Sequence, residues 1–276
     1  MHKRFGREKI LGRLKKTVKN GKPVIGAGCS AGIIAKCAEA GETDLIIVYS
    51  TGKSRLMGLP TTIMGDSNAI TLSMAGEILN VVKDTPVIAG IDVGDPTHMD
   101  LSLLLEEFID ASYSGIINFP TIGVYGDKYR IERETVGLGF PRELEMVKTA
   151  KGMDLFTMAY VFSKEDAQAM AEAGVDCMVP HVGMTGGGME GFKKATPLKT
   201  AADTIQGMIE VTKEVNPEII CLSHGGAVAT PEDTQYIYEH TDAVGYVGAS
   251  SIERIPIEQA VTEVVSRFKK IPIRRK

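Results

Sequence analysis

Eight short runs of apolar and β-branched residues recur along the chain, and each is followed by a stretch with the apolar spacing of a helix. The runs begin near Pro23, Asp44, Pro86, Gly115, Asp154, Asp176, Glu218 and Ala243. They are continuously apolar rather than alternating, which is typical of strands buried on both faces of a parallel sheet. This alternation of strands and helices restricts the chain to the α/β class.

Eight strand–helix units predict a single (β/α)8 barrel of the TIM type, which needs about 250 residues. The chain has 276 residues. A doubly wound open sheet is the alternative, but no G-x-G-x-x-G turn follows the first run. Two predicted helices end in Ala-Glu-Ala-Gly, at Gly41 and Gly174, where we expect left-handed caps. Ser163 and Thr230-Pro231 have the pattern of helix starts.

The net charge of −4 conceals two basic ends, at residues 1–22 and 267–276. We predict that residues 1–22 form a basic N-terminal helical segment packed on the base of the barrel. Residues 23–276 would then form the TIM-barrel domain. In such a barrel both basic ends lie opposite the active face, so they are expected to form one positive surface.

Composition excludes several classes of protein. The chain is 43% hydrophobic and 24% charged, as in ordinary globular proteins. No apolar run approaches the ~20 residues of a membrane span, and no basic–aromatic motif predicts nucleic-acid binding. The four cysteines have no C-x-x-C spacing, which fits a cytoplasmic protein. We expect buried structural thiols at Cys37 and Cys177; Cys29 and Cys221 lie near strand ends, where a role in the site stays open.

The longest intervals follow the second, fourth and sixth predicted strands, in the loops that build the active face of a barrel. The basic residues of these loops are Lys53, Arg55, Lys128, Arg130, Arg133, Lys193 and Lys194. Cations gathered at a barrel mouth suit a small anionic ligand, and Arg55 is the favoured contact. The alternative is that some of them pair with loop acids such as Glu132 and Glu134.

Glycine-rich turns follow the last three predicted strands. Residues 223–227 (Ser-His-Gly-Gly-Ala) and 247–251 (Val-Gly-Ala-Ser-Ser) stand where many barrels bind phosphate through backbone N–H groups. Residues 183–191 hold five glycines, which predicts a lid or an anion-binding loop, with a disordered connector as the alternative. The predicted substrate- and phosphate-binding residues are Arg55, Asn118, Thr185, Gly186, Gly187, Gly225, Gly226, Gly248 and Ser250.

Acidic and histidine residues also follow predicted strands. Asp92 and Asp95 come after the third strand, where carboxylates suit Mg²⁺, although Asp95-Pro96 is equally a turn signal. His181 and His224 end the sixth and seventh strands and are candidates for general acid–base catalysis. The predicted catalytic residues are therefore His181, His224 and Asp95, and the predicted metal ligands are Asp92 and Asp95.

Several motifs occur together and in a characteristic order between residues 23 and 254. They are IVYSTGKSRLMG with GDSNA, TPVIAGIDVGDP, INFPTIG, GLGF, YVF, AEAGVD, HVGMTGGG and GASSIER. In this combination the chain resembles the phosphoenolpyruvate hydrolase-like TIM-barrel family, also seen as the C-terminal barrel of a plant antiviral resistance protein. The resemblance implies membership of the phosphoenolpyruvate/pyruvate superfamily, whose enzymes make or break C–C, C–P or P–O bonds in 2-oxo acids, usually with Mg²⁺.

Two superfamily motifs are altered in this chain. The Mg²⁺ motif A-D-x-D-x-G corresponds to residues 89–94 (Ala-Gly-Ile-Asp-Val-Gly), so Gly90 replaces the first acid and Asp92 matches the second. The K-K-C-G-H loop, with the catalytic cysteine of isocitrate lyase, is absent.

Two functions remain open from the sequence, with a structural scaffold as a third. The first is a hydrolase or lyase acting on a small phosphorylated or 2-oxo acid anion. In it Arg55 and the glycine turns bind the anion, Mg²⁺ assists, and His181 or His224 moves a proton. The second is a non-catalytic barrel that senses a phosphorylated metabolite. The expected partners are a small anionic metabolite and further copies of the chain, without nucleic acid or membrane.

Overall fold

The structure, a computed structural model, describes residues 4–193 and 196–274. All strand pairings in its sheet are parallel. The strands are β1 (Val24–Gly28), β2 (Leu45–Val48), β3 (Val87–Gly90), β4 (Gly115–Ile117), β5 (Phe156–Val161), β6 (Cys177–Pro180), β7 (Ile220–Cys221), β8 (Ser223–His224) and β9 (Gly245–Gly248).

The sheet curls into a barrel with the strand order β7-β6-β5-β4-β3-β2-β1-β9-β8. Strands β7 and β8 are consecutive pieces of one segment, separated only by Leu222. The first piece pairs with β6 and the second with β9, so this segment joins the two ends of the sheet. Each of the eight predicted runs contains a strand, and the predicted (β/α)8 architecture is confirmed.

Helices connect the strands and surround the barrel. The α-helices are α1 (Arg7–Lys19), α2 (Gly32–Ala40), α3 (Thr51–Leu56), α4 (Ser67–Ser73), α5 (Ala75–Leu79), α6 (Leu101–Asp110), α7 (Asp127–Thr135), α8 (Phe140–Gly152), α9 (Lys164–Glu172), α10 (Leu198–Val215), α11 (Pro231–His240) and α12 (Arg254–Lys269). A 3-10 turn spans Ile122–Val124. The long loops after β2 and β4 therefore contain short helices, and Lys194 lies outside the described residues.

Side-chain caps set several helix ends. Ser163 accepts the Asp166 N–H at 3.0 Å, and Thr230 forms a capping box with Asp233, so both predicted helix starts are confirmed. The left-handed cap at Gly174 is also confirmed, with φ of 84°. The cap expected at Gly41 was wrong: its φ is −84°, and the next residue, Glu42, takes the left-handed conformation at 63°.

Helix α1 lies against the amino-terminal ends of the strands. Its Ile10 and Leu14 are buried in the same cluster as Val24 and Leu45. Two of its basic side chains are paired with acids that lie one or two residues before strands: Arg7 Nη2 lies 2.7 Å from Asp176, and Lys15 Nζ lies 2.8 Å from Glu218. Positive charge at this end of the barrel is thus partly matched by the acids at the strand starts.

Helix α12 differs from the other long helices because Arg254 is its only buried residue. Its apolar side chains Ile257, Val261, Val264, Val265 and Phe268 are exposed. Within the described ranges, no helix combines the length and apolar character needed to cross a membrane.

Candidate active site

A cavity opens at the carboxyl ends of the strands, where the residues following β2, β4, β6, β8 and β9 converge. We call it the mouth cavity. It is lined by Tyr49, Thr51, Arg55, Thr61, Phe119, His181, Met184, Thr185, Glu190, Phe192, His224, Ala249, Ser250 and Arg254. Five of the predicted site residues meet here: Arg55, His181, Thr185, His224 and Ser250.

Arg55 projects from α3 into the buried part of this cavity. Its Nε donates to Glu253 Oε2 at 2.8 Å, and the other carboxylate oxygen of Glu253 accepts the Ser30 N–H at 2.6 Å. Burial lowers the pKa of Arg55, but the Glu253 carboxylate outweighs it and holds that pKa above its usual value. The guanidinium is therefore charged, and it lies 5.5 Å from the centre of the Tyr49 ring.

Two of the residues that line the mouth cavity carry a buried polar atom with no hydrogen-bond partner among the described residues. These atoms are Thr51 Oγ1 and Arg254 Nε, on residues that are 1% and 4% exposed. An unsatisfied buried donor or acceptor is costly and is normally satisfied by water or a ligand. Thr51 and Arg254 both line the mouth cavity, so each brings an unsatisfied polar group to its wall.

His181 and His224 lie side by side at the carboxyl ends of β6 and β8, with ring centroids 4.6 Å apart. His224 Nδ1 lies 2.6 Å from the Val247 carbonyl, which only accepts, so Nδ1 carries the proton and Nε2 is an acceptor. His181 Nδ1 instead accepts the Gly183 N–H at 3.1 Å. In the neutral ring of His181 the proton is therefore on Nε2, which is a donor.

Burial keeps both imidazoles neutral near pH 7. It lowers the pKa of His224 to about 4, and the nearby charge of Arg55 acts in the same direction. Burial together with His224 lowers the pKa of His181 as well. The two rings thus form a matched pair, one presenting an N–H and the other a lone pair.

Aromatic rings fill the centre of the barrel mouth. The Tyr49 and Phe119 ring centroids are 4.9 Å apart, and those of Phe119 and Tyr160 are 5.4 Å apart. Asn118 lies beneath this layer, where its Nδ2 donates to Glu143 at 2.6 Å and its Oδ1 accepts the Tyr160 N–H at 2.7 Å. The structure therefore places Asn118 in a buried network and not on the mouth cavity.

The predicted phosphate-binding glycines mainly join the two loops that follow β6 and β8. The Gly186 N–H donates to the Gly226 carbonyl at 3.1 Å, and the Gly226 N–H donates to the Gly183 carbonyl at 2.7 Å. Gly225, with φ of 83°, lies so close to Gly183 O that a Cβ would overlap it. Gly248 is a β9 residue paired with Ala27. The N–H groups of Gly186 and Gly226 are therefore engaged by backbone.

The acids predicted to bind metal lie away from the mouth cavity. Asp92 borders a second cavity, which we call the side cavity; its other residues are Ile63, Val93, Gly94, Pro120, Thr121, Ile122, Tyr125, Tyr129, Arg133, Leu138 and Glu143. Asp92 Oδ1 accepts the Gly94 N–H at 2.9 Å, and burial raises the pKa of this carboxyl. Pro120 and Thr121 of the side cavity directly follow Phe119 of the mouth cavity.

Asp95 lies in a turn, which was the alternative to its role as a metal ligand. Its Oδ1 accepts the Thr97 N–H at 2.9 Å, and its Oδ2 lies 2.9 Å from His98 Nδ1. Within residues 4–193 and 196–274, no three His, Cys, Asp or Glu side chains are grouped as a metal site would require. Asp92 and Asp95 border one shallow surface pocket, but only Asp92 also borders the side cavity.

Glu143 is a buried acid of the side cavity that the sequence did not single out. Burial raises its pKa to about 7, although hydrogen bonds from Asn118, Ile122 and Thr121 lower it. Thr121 Oγ1 lies 2.8 Å and the Ile122 N–H nitrogen 2.7 Å from the carboxylate. In sequence Glu143 is an ordinary acid in the first turn of a helix, a pattern that normally predicts a solvated side chain.

The remaining loop cations have separate roles. Arg130 pairs with Asp166 at 2.7 Å, so the pairing alternative holds with a different acid from those expected. Arg133 donates to the Gly94 carbonyl and borders the side cavity. Lys53 is half-buried, while Lys128 and Lys193 are exposed.

The two cysteines near strand ends do not supply a reactive thiolate to the site. Cys29 and Cys221 are buried, and burial raises the pKa of both thiols. Cys177 is buried as expected, whereas the expectation for Cys37 was wrong because its position on α2 is exposed.

Comparison with known proteins relates nearly the whole chain to one family. The sequence profile of the family described as phosphoenolpyruvate hydrolase-like matches residues 9–271. Among curated proteins, the ToMV susceptible protein tm-1(GCR26) of Solanum lycopersicum is 41% identical over 267 residues, which is 95% of this chain and 35% of that protein. The ToMV resistance protein Tm-1(GCR237) of the same plant is 40% identical over 267 residues, with the same coverage. The chain spans about a third of the length of these relatives.

Solved structures share the fold at low sequence identity. A phosphonopyruvate hydrolase in complex with oxalate and Mg++ superposes with a TM-score of 0.62 at 19% identity, covering 95% of this chain and 87% of that one. At this identity the likeness concerns the barrel alone.

Proposed function

The chain belongs to the phosphoenolpyruvate hydrolase-like family, and we propose that it is a hydrolase or lyase that acts on a small phosphorylated or 2-oxo acid anion in the mouth cavity. The observation that carries the proposal is the charged, buried Arg55 beside two unpartnered polar atoms, Thr51 Oγ1 and Arg254 Nε. A carboxylate or phosphoryl group satisfies all three through charge-assisted hydrogen bonds.

The histidine pair supplies the proton chemistry of this proposal. His181 presents its Nε2–H to the substrate oxygen on which negative charge develops, and Arg55 stabilises the same charge. His224 Nε2 accepts the proton of the attacking water in hydrolysis, or of a substrate hydroxyl in lysis. The loop of residues 183–191 contributes Met184, Thr185 and Glu190 to the cavity wall and so limits access of other water.

The proposal includes Mg²⁺, and Asp92 is the one residue that would bind it. Mg²⁺ is commonly held by one or two carboxylates, with substrate and water supplying the other ligands. Asp92 would be that carboxylate, since both oxygens of Asp95 already serve the turn. Because Asp92 borders the side cavity and not the mouth cavity, an ion held there would add positive charge near the site without contacting a substrate in the mouth cavity. The resemblance of the fold to a phosphonopyruvate hydrolase solved with oxalate and Mg++ supports testing this ion.

The proposal is tested by incubating the protein with phosphoenolpyruvate, phosphonopyruvate or oxaloacetate and measuring the release of pyruvate or phosphate. Arg55→Lys keeps the charge but loses the planar donor set, so we expect kcat/KM to fall on the order of a hundredfold. His224→Gln should cost a similar factor. Arg267→Lys, an exposed arginine with the same change, should have wild-type kcat/KM. Wild-type turnover by Arg55→Lys would contradict the proposed role of the mouth cavity.

The non-catalytic sensing barrel is the second candidate, and Gly90 favours it. A Cβ at this position would overlap the Tyr49 Cβ and lie 2.6 Å from the Phe119 carbonyl oxygen. The acid that the superfamily motif has here therefore has no room in this chain. Binding of these anions without product over several hours would support sensing, whereas release of pyruvate would exclude it.

A further inference from the structure

Arg254 joins the mouth cavity to the glycine-rich loop of residues 183–191. Its Nη1 lies 2.6 Å from Glu258 Oε1, and its Nη2 donates to the Gly187 carbonyl at 3.2 Å. The third nitrogen, Nε, is buried without a partner among the described residues, on a side chain that borders the cavity. The guanidinium thus has two nitrogens committed to holding the loop and its own helix, and one left for a ligand.

Glu258, the acidic partner of Arg254 in this ion pair, also binds the loop. Its Oε2 accepts the Met189 N–H at 2.8 Å, while its Oε1 is paired with Arg254. The loop residue between these two contacts is Gly188, with φ of 70°. A Cβ there would overlap Glu258 Oε2 and lie 2.6 Å from Arg254 Nη1. The absence of a side chain at Gly188 therefore allows the ion pair to hydrogen-bond the loop residues on either side of it, Gly187 and Met189.

The glycine-rich loop that Arg254 and Glu258 bind also forms part of the wall of the mouth cavity. Met184, Thr185 and Glu190 border the same space as Arg254. Arg254 is preceded directly by Glu253, whose carboxylate binds Arg55, and both arginines line the mouth cavity. An anion in this cavity is therefore bordered both by Arg55 and by the residue that holds the loop.

We propose that Arg254 is a positioning residue through which an anion in the mouth cavity locks the glycine-rich loop. The anion accepts from Nε, which fixes the guanidinium plane and strengthens the hold of its other nitrogens on Gly187 and Glu258. By linkage, the closed loop raises the affinity for the anion by the same factor. The inference rests on the proposed function only in requiring an anion in this cavity, and it does not require turnover.

Two measurements on the intact chain test this coupling, with oxalate and inorganic phosphate as probes. Calorimetry gives the dissociation constant, and amide hydrogen exchange gives the protection of residues 183–191 with and without the probe. In the wild type we expect the anion to slow exchange at Met189 and its neighbours. In Arg254→Lys the affinity should fall about tenfold or more, the effect of one charge-assisted hydrogen bond, and the anion should no longer protect the loop.

Arg267→Lys is the matched control for this experiment, and Glu258→Gln is a second test variant. Arg267→Lys makes the same change on an exposed part of α12 and should behave as the wild type. Glu258→Gln leaves the anion contacts in place and weakens the hold on Met189, so the loop should exchange faster while the affinity falls less than in Arg254→Lys. This second variant decides the matter if Arg254→Lys does not fold.

The outcomes separate this inference from the proposed function. Anion binding that protects the loop equally in Arg254→Lys and wild type would overturn the inference and leave the function standing. Binding with Arg254-dependent protection but without turnover would support the inference and contradict an enzymatic function. If the wild type binds neither probe, both proposals fail.

Discussion

At the scale of single residues, burial rather than residue type sets the protonation states at this barrel mouth. Burial lowers the pKa of His224 to about 4 and raises that of Glu143 to about 7. The backbone then decides which imidazole nitrogen holds the proton, because His224 faces a carbonyl and His181 faces an N–H. A histidine base with a low pKa stays unprotonated throughout the neutral range.

Glu143 should make stability depend on pH in a defined direction. Its pKa is raised on folding, so the folded state binds more protons, and stability is lost as the pH rises from 4.5 through about 7. Glu143→Gln removes this titration. Between pH 5 and pH 8 the stability of the variant relative to wild type should therefore rise by about 2–3 kcal/mol. Urea unfolding of both proteins at the two pH values measures it; a pH-independent difference would contradict the buried, raised pKa.

The Arg55–Glu253 pair should be costly to break. Its side chains are 1% and 0% exposed, so Arg55→Ala leaves a buried carboxylate unpaired. We expect a loss of about 3–5 kcal/mol in the free energy of unfolding. Lys199→Ala breaks an ion pair whose side chains are 75% and 65% exposed, and should leave the free energy of unfolding nearly unchanged. Equal effects of the two variants on the denaturant midpoint would refute the distinction.

At the scale of elements, close approach of loops depends on small residues at the strand ends. Tyr49 follows β2 and crosses the end of β3 at Gly90, where there is no room for a side chain. The aromatic layer of Tyr49, Phe119 and Tyr160 is built on that contact. Gly90 is also the position where the resemblance drawn from the sequence places an acid, and this contact leaves no room for one.

Gly90→Ala should accordingly destabilise the barrel by about 1–3 kcal/mol, because the added methyl group overpacks a buried contact. Gly12→Ala is the matched control: it lies inside α1 with no atom within 4 Å of an added Cβ. That change should stabilise the chain by about 0.5–1 kcal/mol through helix propensity. Thermal unfolding of the two variants should shift in opposite directions, and a neutral Gly90→Ala would contradict the packing argument.

At the scale of the whole molecule, α12 has two distinct parts. Its first turn reaches the mouth cavity and the glycine-rich loop through Arg254, while the rest presents apolar side chains to solvent. A helix with such a face normally buries it against another element. The expected homo-oligomer stays a prediction, and this face is where it is tested.

Light scattering on the eluting protein should therefore give a mass above the 29.7 kDa of one chain. Val261→Glu combined with Phe268→Glu places two charges on residues that are 58% and 75% exposed, and should reduce the mass to that of a monomer. Ile131→Glu, at a residue of α7 that is 61% exposed, serves as the control and should leave the mass unchanged. A monomeric wild type would contradict the expectation.

The sequence predicted the barrel well because its signals are local. Each strand run is marked by its own apolar residues, and the caps at Ser163 and Thr230 are set by side chains within a few positions. The site was predicted less completely. Arg55, His181, His224 and Ser250 do converge, but Asp92 borders another cavity, and Glu143 carried no signal because burial is not a local property.

The order of the elements, the barrel, the family and the loops that line the mouth cavity could all be predicted from the residues in order. Which polar groups meet there, and in what state, follows from the fold: the opposed tautomers of His181 and His224, the Glu253 partner of Arg55, and the hydrogen bond from Arg254 to the loop. The physical reason is that strand and helix formation follow from neighbouring residues. Charge, protonation and unsatisfied donors depend instead on groups that are distant in sequence and on how far water is excluded between them.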